Sequence, residues 1–212
     1  MKRELFGDLL KWKSSAERKP LVLFGARQVG KTWLLKEFGN SEYLKTAFVS
    51  FDRNDAACQL LKSEKNAEKL IRGLSALTGV DITVGDTLVI LDEIQDCPEA
   101  LERLKVFSED AQEYHIVACG SLLGIALHEG ISYPVGKVDE LYLHPMTFGE
   151  FLVANGKEKM HELLIHAEWN LITAISGEYI DLLRQYYYVG GMPSVVLAYI
   201  KNLGLKEEDL YI

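Results

Sequence analysis

Gly25-Ala26-Arg27-Gln28-Val29-Gly30-Lys31-Thr32 has the residue types and spacing of a loop that wraps a polyphosphate. Its glycines let backbone N–H groups turn towards an anion, and a helix starting at its end points its positive pole at the same charge. Lys31 is expected to reach the β- and γ-phosphates of a nucleotide, and the Thr32 hydroxyl to hold Mg²⁺. The flanks agree: an apolar run, Leu21-Val22-Leu23-Phe24, precedes the loop, and a helical stretch, Trp33-Leu34-Leu35-Lys36-Glu37-Phe38, follows it.

A second group completes this chemistry. Leu88-Val89-Ile90-Leu91-Asp92-Glu93 is a hydrophobic strand ending in adjacent carboxylates. Successive side chains at a strand end diverge, so the two acids reach different targets: Asp92 the Mg²⁺, through a water, and Glu93 an attacking water. Gly120-Ser121 follows a further strand, and Ser121 is a candidate contact to the γ-phosphate or to that water; the alternative is a strand-ending turn. Arg27 either touches the γ-phosphate or a neighbouring subunit, or is a solvated side chain.

The same residues exclude other classes. An Asp-Glu pair belongs to ATPases that activate water. The Asn-Lys-x-Asp element that reads guanine is absent, so ATP is the expected nucleotide, and residues 123–146 contain no Arg with which to build a kinase lid. His161-Glu162-Leu163-Leu164-Ile165-His166 resembles a zinc-protease signature, but its histidines stand five apart, about 140° around a helix, and share no face. Tyr186-Tyr187-Tyr188 is read as core packing and not as a base-stacking platform, since consecutive helical residues point different ways.

Composition sets the wider limits. At 212 residues, 48% apolar and 25% charged, the chain holds one sizeable α/β domain with room for a small appendage. A net charge of −8 argues against gripping nucleic acid through the overall field. Cys58, Cys97 and Cys119 form no C-x-x-C pair, which predicts free thiols in a reducing cytoplasm. No apolar stretch approaches the roughly 20 residues that span a bilayer. A soluble, cytoplasmic protein is expected.

The elements that must position these groups follow from periodicity. A short amphipathic helix is expected over 4–13, and a strand at Ala47–Phe51 ending near Asp52. One helix is read over 56–78 with its stop at Gly79, and then the strand Thr87–Leu91. Pro98 opens a further helix, before strands at His115–Cys119 and near Val138–Leu143. The first strands are continuously apolar, as strands covered on both faces of a parallel sheet are. Strands alternating with helices give a doubly wound α/β domain. Thr147-Phe148-Gly149-Glu150 reads as a capping box, with Met146 and Phe151 as its hydrophobic staple. Only helices are expected after it, over about 147–154, 158–176, 178–188 and 194–203. The division is therefore 1–146 for the core and 147–212 for a helical appendage.

Taken in order, Gly-Ala-Arg-Gln-Val-Gly-Lys-Thr, Leu-Asp-Glu-Ile-Gln, Cys-Gly-Ser, Val-Gly-Lys-Val, Leu-His-Pro-Met-Thr-Phe-Gly-Glu-Phe and Gly-Gly-Met-Pro resemble the prokaryotic AAA-like (AAA_14-type) ATPases, close to archaeal-type ATPases of the STAND lineage. The resemblance runs over about residues 18–200. It implies a P-loop NTPase fold with a five-stranded, mainly parallel sheet and a strand inserted between the two motif strands. It also implies Mg²⁺-dependent ATP binding and hydrolysis. Where many relatives carry Arg, this chain has Lys137, which weakens an arginine-finger reading there; Arg53 and Arg103 remain as alternatives, to be brought to the phosphate only by a neighbouring subunit. Relatives continue into a C-terminal nuclease-like domain, whereas 205–212 reads as a helix just starting, so truncation is expected. The rival to an ATPase is a nucleotide-responsive scaffold that binds a protein, less readily DNA. Self-association or the absent domain is the expected source of activation.

Overall fold

The structure is a computed structural model and describes residues 1–121 and 133–202. The expected helix start at 205–212 and the last residue of the expected helix 194–203 lie outside the described residues. The chain divides into two compact units, Gly7–Leu143 and Met1–Phe6 with His144–Ile212. Residues 1–6, counted from sequence with the core, thus fall in the second unit.

The first unit is a doubly wound α/β layer structure. Its elements are α1 (Phe6–Ser14, entering from the first residues), β1 (Leu21–Gly25), α2 (Lys31–Glu42), β2 (Lys45–Ser50), α3 (Asp55–Ser63), α4 (Ala67–Thr78), β3 (Thr87–Asp92), α5 (Glu99–Asp110), β4 (His115–Gly120) and β5 (Asp139–Leu143). All five strands are parallel, in the order β2-β3-β4-β1-β5, so β4 lies between β1 and β3. Every residue of β3 and β4 is buried, which explains the apolar runs Leu88–Leu91 and Ile116–Ala118 within them, whereas β5 at the sheet edge buries only Leu143 fully. On one face Val22, Phe24, Val49, Val89, Leu91, Ile116 and Ala118 pack with the inward residues of α3, α4 and α5. α2 packs on β1, β3 and β4 through Leu34, Leu35 and Phe38.

Two expected single helices are each divided. In 56–78 the chain caps twice: Asn54 Oδ1 accepts from Ala57 N and Asn66 Oδ1 from Lys69 N, and α3 and α4 start separately. Gly79 closes α4 with φ 69°, the left-handed stop that its sequence position suggested. In 158–176 Ala167 takes φ 53° and separates α7 (Glu158–Ile165) from α8 (Trp169–Ala174).

In the second unit α6 (Phe148–Ala154) opens with the expected capping box. Thr147 Oγ1 accepts from Glu150 N, and Glu150 Oε2 accepts from Thr147 N. Glu150 also accepts from Arg3 Nε at 2.9 Å and from Glu4 N at 2.8 Å, with both charged side chains 5% exposed. Met146 and Phe151 share a cluster with Val196 and Ile200 of α10 (Pro193–Asn202). On α9 (Ser176–Val189) the three tyrosines part company. Tyr186 packs on Phe148 and Phe151, but Tyr187 and Tyr188 are 76% and 92% exposed, so core packing holds for the first alone.

The cysteine expectation is also corrected. Cys58 of α3 and Cys97, just after β3, are joined as a disulfide with Cα atoms 5.6 Å apart, and Cys119 is a buried free thiol. β2 and β3 are neighbours, so the segments leaving their ends meet, although 39 residues separate the cysteines in sequence. Among the described residues no helix is long and apolar enough to cross a membrane.

Candidate functional site

Parallel strands bring all their C-terminal ends to one edge, and the chemistry-bearing residues gather there. β1 ends at Gly25, where an added Cβ would lie 2.5 Å from Leu143 O and 3.0 Å from Val29 Cγ2. The loop can turn beside β5 only if that position carries no side chain. Gln28 and Gly30 take positive φ, 67° and 94°, and α2 begins directly at Lys31. No side chain caps this helix start and its first turn holds no acid. Its amide donors are thereby left for an anion.

Lys31 is buried, with Nζ donating to Gly25 O and Ala26 O, both at 2.9 Å. The ammonium thus curls over the loop that its helix closes. Thr32 Oγ1 lies 3.1 and 3.0 Å from the two carboxylate oxygens of Asp92 and donates to them. Asp92 is buried and also accepts from Cys119 Sγ at 2.8 Å across the β3–β4 pair. Burial, with the Asp92 charge next, pushes the Cys119 thiol well above its ordinary value, so it stays a protonated donor.

Glu93 leaves β3 in the left-handed region at φ 53° and caps a single 3₁₀ turn, Ile94–Asp96. Its carboxylate Oε2 accepts from Gln95 Nε2, and Gln95 Oε1 accepts from Ser121 N at 3.2 Å. A cavity of about 560 Å³ is lined by Arg27, Gln28, Gly30, Lys31, Thr32, Trp33, Asp52, Glu93, Gln95 and Asp96. That size suits a small-molecule ligand.

Of the residues singled out from sequence, Arg27, Gln28, Gly30, Lys31, Thr32 and Glu93 line this cavity. Gly25, Ala26 and Val29 shape the loop behind it, Asp92 lies beneath Thr32, and Ser121 is connected through Gln95. Trp33, Asp52, Gln95 and Asp96 were missed. Two carried a signal: Asp52 follows the second apolar run two residues past the end of β2, much as Asp92 closes the third, and Gln95 closes the Leu-Asp-Glu-Ile-Gln motif. Two cations weighed for the site are engaged elsewhere. Arg103 is buried and donates to Leu61 O at the end of α3, and Lys137 pairs with Glu109 at 2.9 Å.

The model of the AAA domain family matches residues 17–152. The chain belongs to the AAA family. The chain is also similar to solved structures, one of them with a TM-score above one half. The origin recognition complex of Drosophila bound to DNA is 14% identical with a TM-score of 0.54, covering 98% of this chain and 62% of that one. The Orc1 protein of Aeropyrum pernix in complex with DNA gives 18% and 0.45, covering 70% and 45%. AMPPCP-bound DnaA of Aquifex aeolicus gives 14% and 0.48, covering 96% and 60%. This AAA chain thus spans about half to three-fifths of the length of these relatives. A comparison with curated proteins gives no match.

Proposed function

We propose that this AAA domain binds ATP with Mg²⁺ and hydrolyses it to ADP and phosphate. The observation that carries the reading is the meeting of Thr32 Oγ1 with both oxygens of Asp92 beside the Lys31 loop. A hydroxyl and a carboxylate are hard oxygen donors, the set that Mg²⁺ shares with phosphate oxygens and water, so the residues present fit the ion. When bound, it would offset the negative charge that develops on the phosphate oxygens. The loop amides from Gly25 to Thr32 and the Lys31 ammonium hold the phosphates. Glu93 orients the attacking water and accepts its proton, and Ser121 stands at the neighbouring strand end as a polar contact. In the same reading 1–146 is the ATPase core and 147–212 a helical appendage.

Calorimetry with MgATP on wild type and Lys31→Ala tests the binding, and single-turnover hydrolysis by wild type and Glu93→Gln tests the chemistry. Expected are loss of most affinity in the first variant, and retained binding without hydrolysis in the second. Equal affinities, or equal rates, overturn the reading.

A second reading, an ATP-dependent switch that engages a protein and hydrolyses little, draws support from the exposed Tyr187 and Tyr188 on α9. Amphipathic aromatics are enriched where proteins meet. The net charge of −8 favours a protein over DNA as that partner. Wild-type binding without measurable turnover at any protein concentration selects this reading.

A further inference from the structure

We infer that Gln95 is the positioning residue for Glu93, and that it ties the carboxylate to the end of β4 at Ser121; the inference rests on the hydrolytic reading of the site. Three observations carry it. Gln95 is buried on the 3₁₀ turn that Glu93 begins, two residues away from it. Its Nε2 donates to Glu93 Oε2, and its Oε1 accepts from Ser121 N at 3.2 Å. It also lines the same cavity as Lys31, Thr32 and Glu93.

The direction of the amide follows from chemistry alone. A backbone N–H can only donate, so the group facing Ser121 must be the Gln95 oxygen, and the nitrogen then faces Glu93. A carboxylate can only accept, so the second contact requires that nitrogen. Both contacts are compatible with one orientation of the amide and with no other. Gln95 is therefore a strut with a fixed polarity, from a main-chain donor at the end of β4 to the acid at the end of β3.

The strut matters because the strand itself does not aim the Glu93 side chain. A non-glycine residue at φ 53° occupies a sparsely populated region, and its side chain leaves the strand in a direction that strand geometry does not set. A base that must meet a water on the γ-phosphate gains rate from a fixed position, and a misplacement of about 1 Å costs on the order of 100-fold. The strut also makes the acid answer to β4. A displacement of Ser121 is passed to Glu93 through one rigid amide, so whatever shifts the end of β4 alters the hydrolytic step without touching the phosphate loop.

The test compares Gln95→Met, which keeps the length and removes both hydrogen bonds, with Gln95→Glu. The latter keeps an acceptor for Ser121 N and loses the donor to Glu93. Both variants are expected to lower kcat about 10- to 100-fold while the KM for ATP changes less than about threefold, since neither contact holds the phosphates. In Gln95→Glu the defect should shrink as the pH falls towards 5, because the new carboxyl regains an O–H donor on protonation. Hydrogen exchange of the Ser121 amide should stay slow in Gln95→Glu and accelerate in Gln95→Met. A purely structural role would leave the pH profiles of the two variants parallel to that of wild type.

Wild type that hydrolyses ATP and is silenced by Glu93→Gln, yet keeps its kcat in Gln95→Met, overturns this inference and leaves the proposed function standing. Wild type without any turnover overturns both.

Discussion

Thr32 and Asp92 are separated by 60 positions in the chain, and their side chains meet at 3.0 Å. The contact joins the start of α2 to the end of β3 across the inserted β4. It places a hydroxyl and a carboxylate on one point beside the phosphate loop. Removing either oxygen should loosen the hold on Mg²⁺ more than the hold on nucleotide. Thr32→Val and Asp92→Asn are each expected to raise the Mg²⁺ concentration for half-maximal ATP binding by roughly 10-fold or more, about 1.4 kcal/mol. Nucleotide titrations followed by Trp33 fluorescence at stepped Mg²⁺ check this, since Trp33 lines the same cavity. An unchanged Mg²⁺ midpoint in both variants would contradict it.

Gly25→Ala tests the loop. Its Cβ would lie 2.5 Å from the Leu143 carbonyl oxygen, a backbone atom that cannot swing aside. Overpacking of this kind costs about 1–3 kcal/mol, which for a chain of this size lowers Tm by roughly 2–12 °C. Nucleotide affinity should fall with it, because the strain is released by moving the phosphate loop. Thermal melts with and without MgATP give both numbers.

Glu150 gathers three donors in the second unit. It accepts from Arg3 Nε, Glu4 N and Thr147 N while almost wholly buried. Glu150→Ala leaves the Arg3 guanidinium buried with its carboxylate partner gone and should cost about 3–5 kcal/mol. Thr147→Ala removes only the cap and should cost about 1 kcal/mol. Denaturant unfolding of the two variants should rank them in that order; equal losses would mean that the ion pair contributes little.

His115 sets a pH dependence of stability. It is buried on β4, with Nδ1 2.7 Å from the Tyr43 hydroxyl, and burial, then the Arg18 and Lys13 charges, lower its pKa from 6.5 to about 4. A folded-state pKa below the unfolded one means that the unfolded chain binds the proton first. The contribution of neutral His115 is therefore complete above pH 6.5 and is lost as the pH falls from 6.5 towards 4. Tm should decline over that window, and His115→Gln, which cannot take the proton, should decline less.

Turnover by this chain alone should be slow. Among the described side chains Arg27 is the arginine that lines the cavity, while Arg103 and Lys137 are engaged elsewhere. An arginine supplied to the transition state is worth about 10³–10⁵ in rate. If that arginine comes from a second copy of the chain, the rate per molecule rises with protein concentration. A flat profile at several turnovers per second would count against this.

Sequence made the phosphate loop and the Asp92-Glu93 strand end legible because their function demands specific residue types at fixed spacing. It made the parallel sheet legible because burial on both faces leaves the middles of β3 and β4, Leu88–Leu91 and Ile116–Ala118, continuously apolar. The same reasoning failed where two signals competed. From 56 to 78 the apolar periodicity is continuous enough for one helix, but Asn54 and Asn66 each start their own. The cysteine pair was hidden because its proximity comes from strand order, not from spacing. Gln95 was visible in its motif but silent in meaning, since it links Glu93 to Ser121, and the ends of β3 and β4 are brought together only by folding. Tyr187 and Tyr188 show the limit of composition, for an aromatic run can equally face solvent.

Five parallel strands also mean that, among the described residues, the chemistry singled out above gathers at one rim of the sheet. The turns entering the strands, such as that at Val84 and Gly85 ahead of β3, open onto the far rim, and Val84 is half exposed. Such a molecule has a working side and a handle. A dye or a tether on the half-exposed Val84 side chain would ride on the handle, at the end of the strands opposite the phosphate loop.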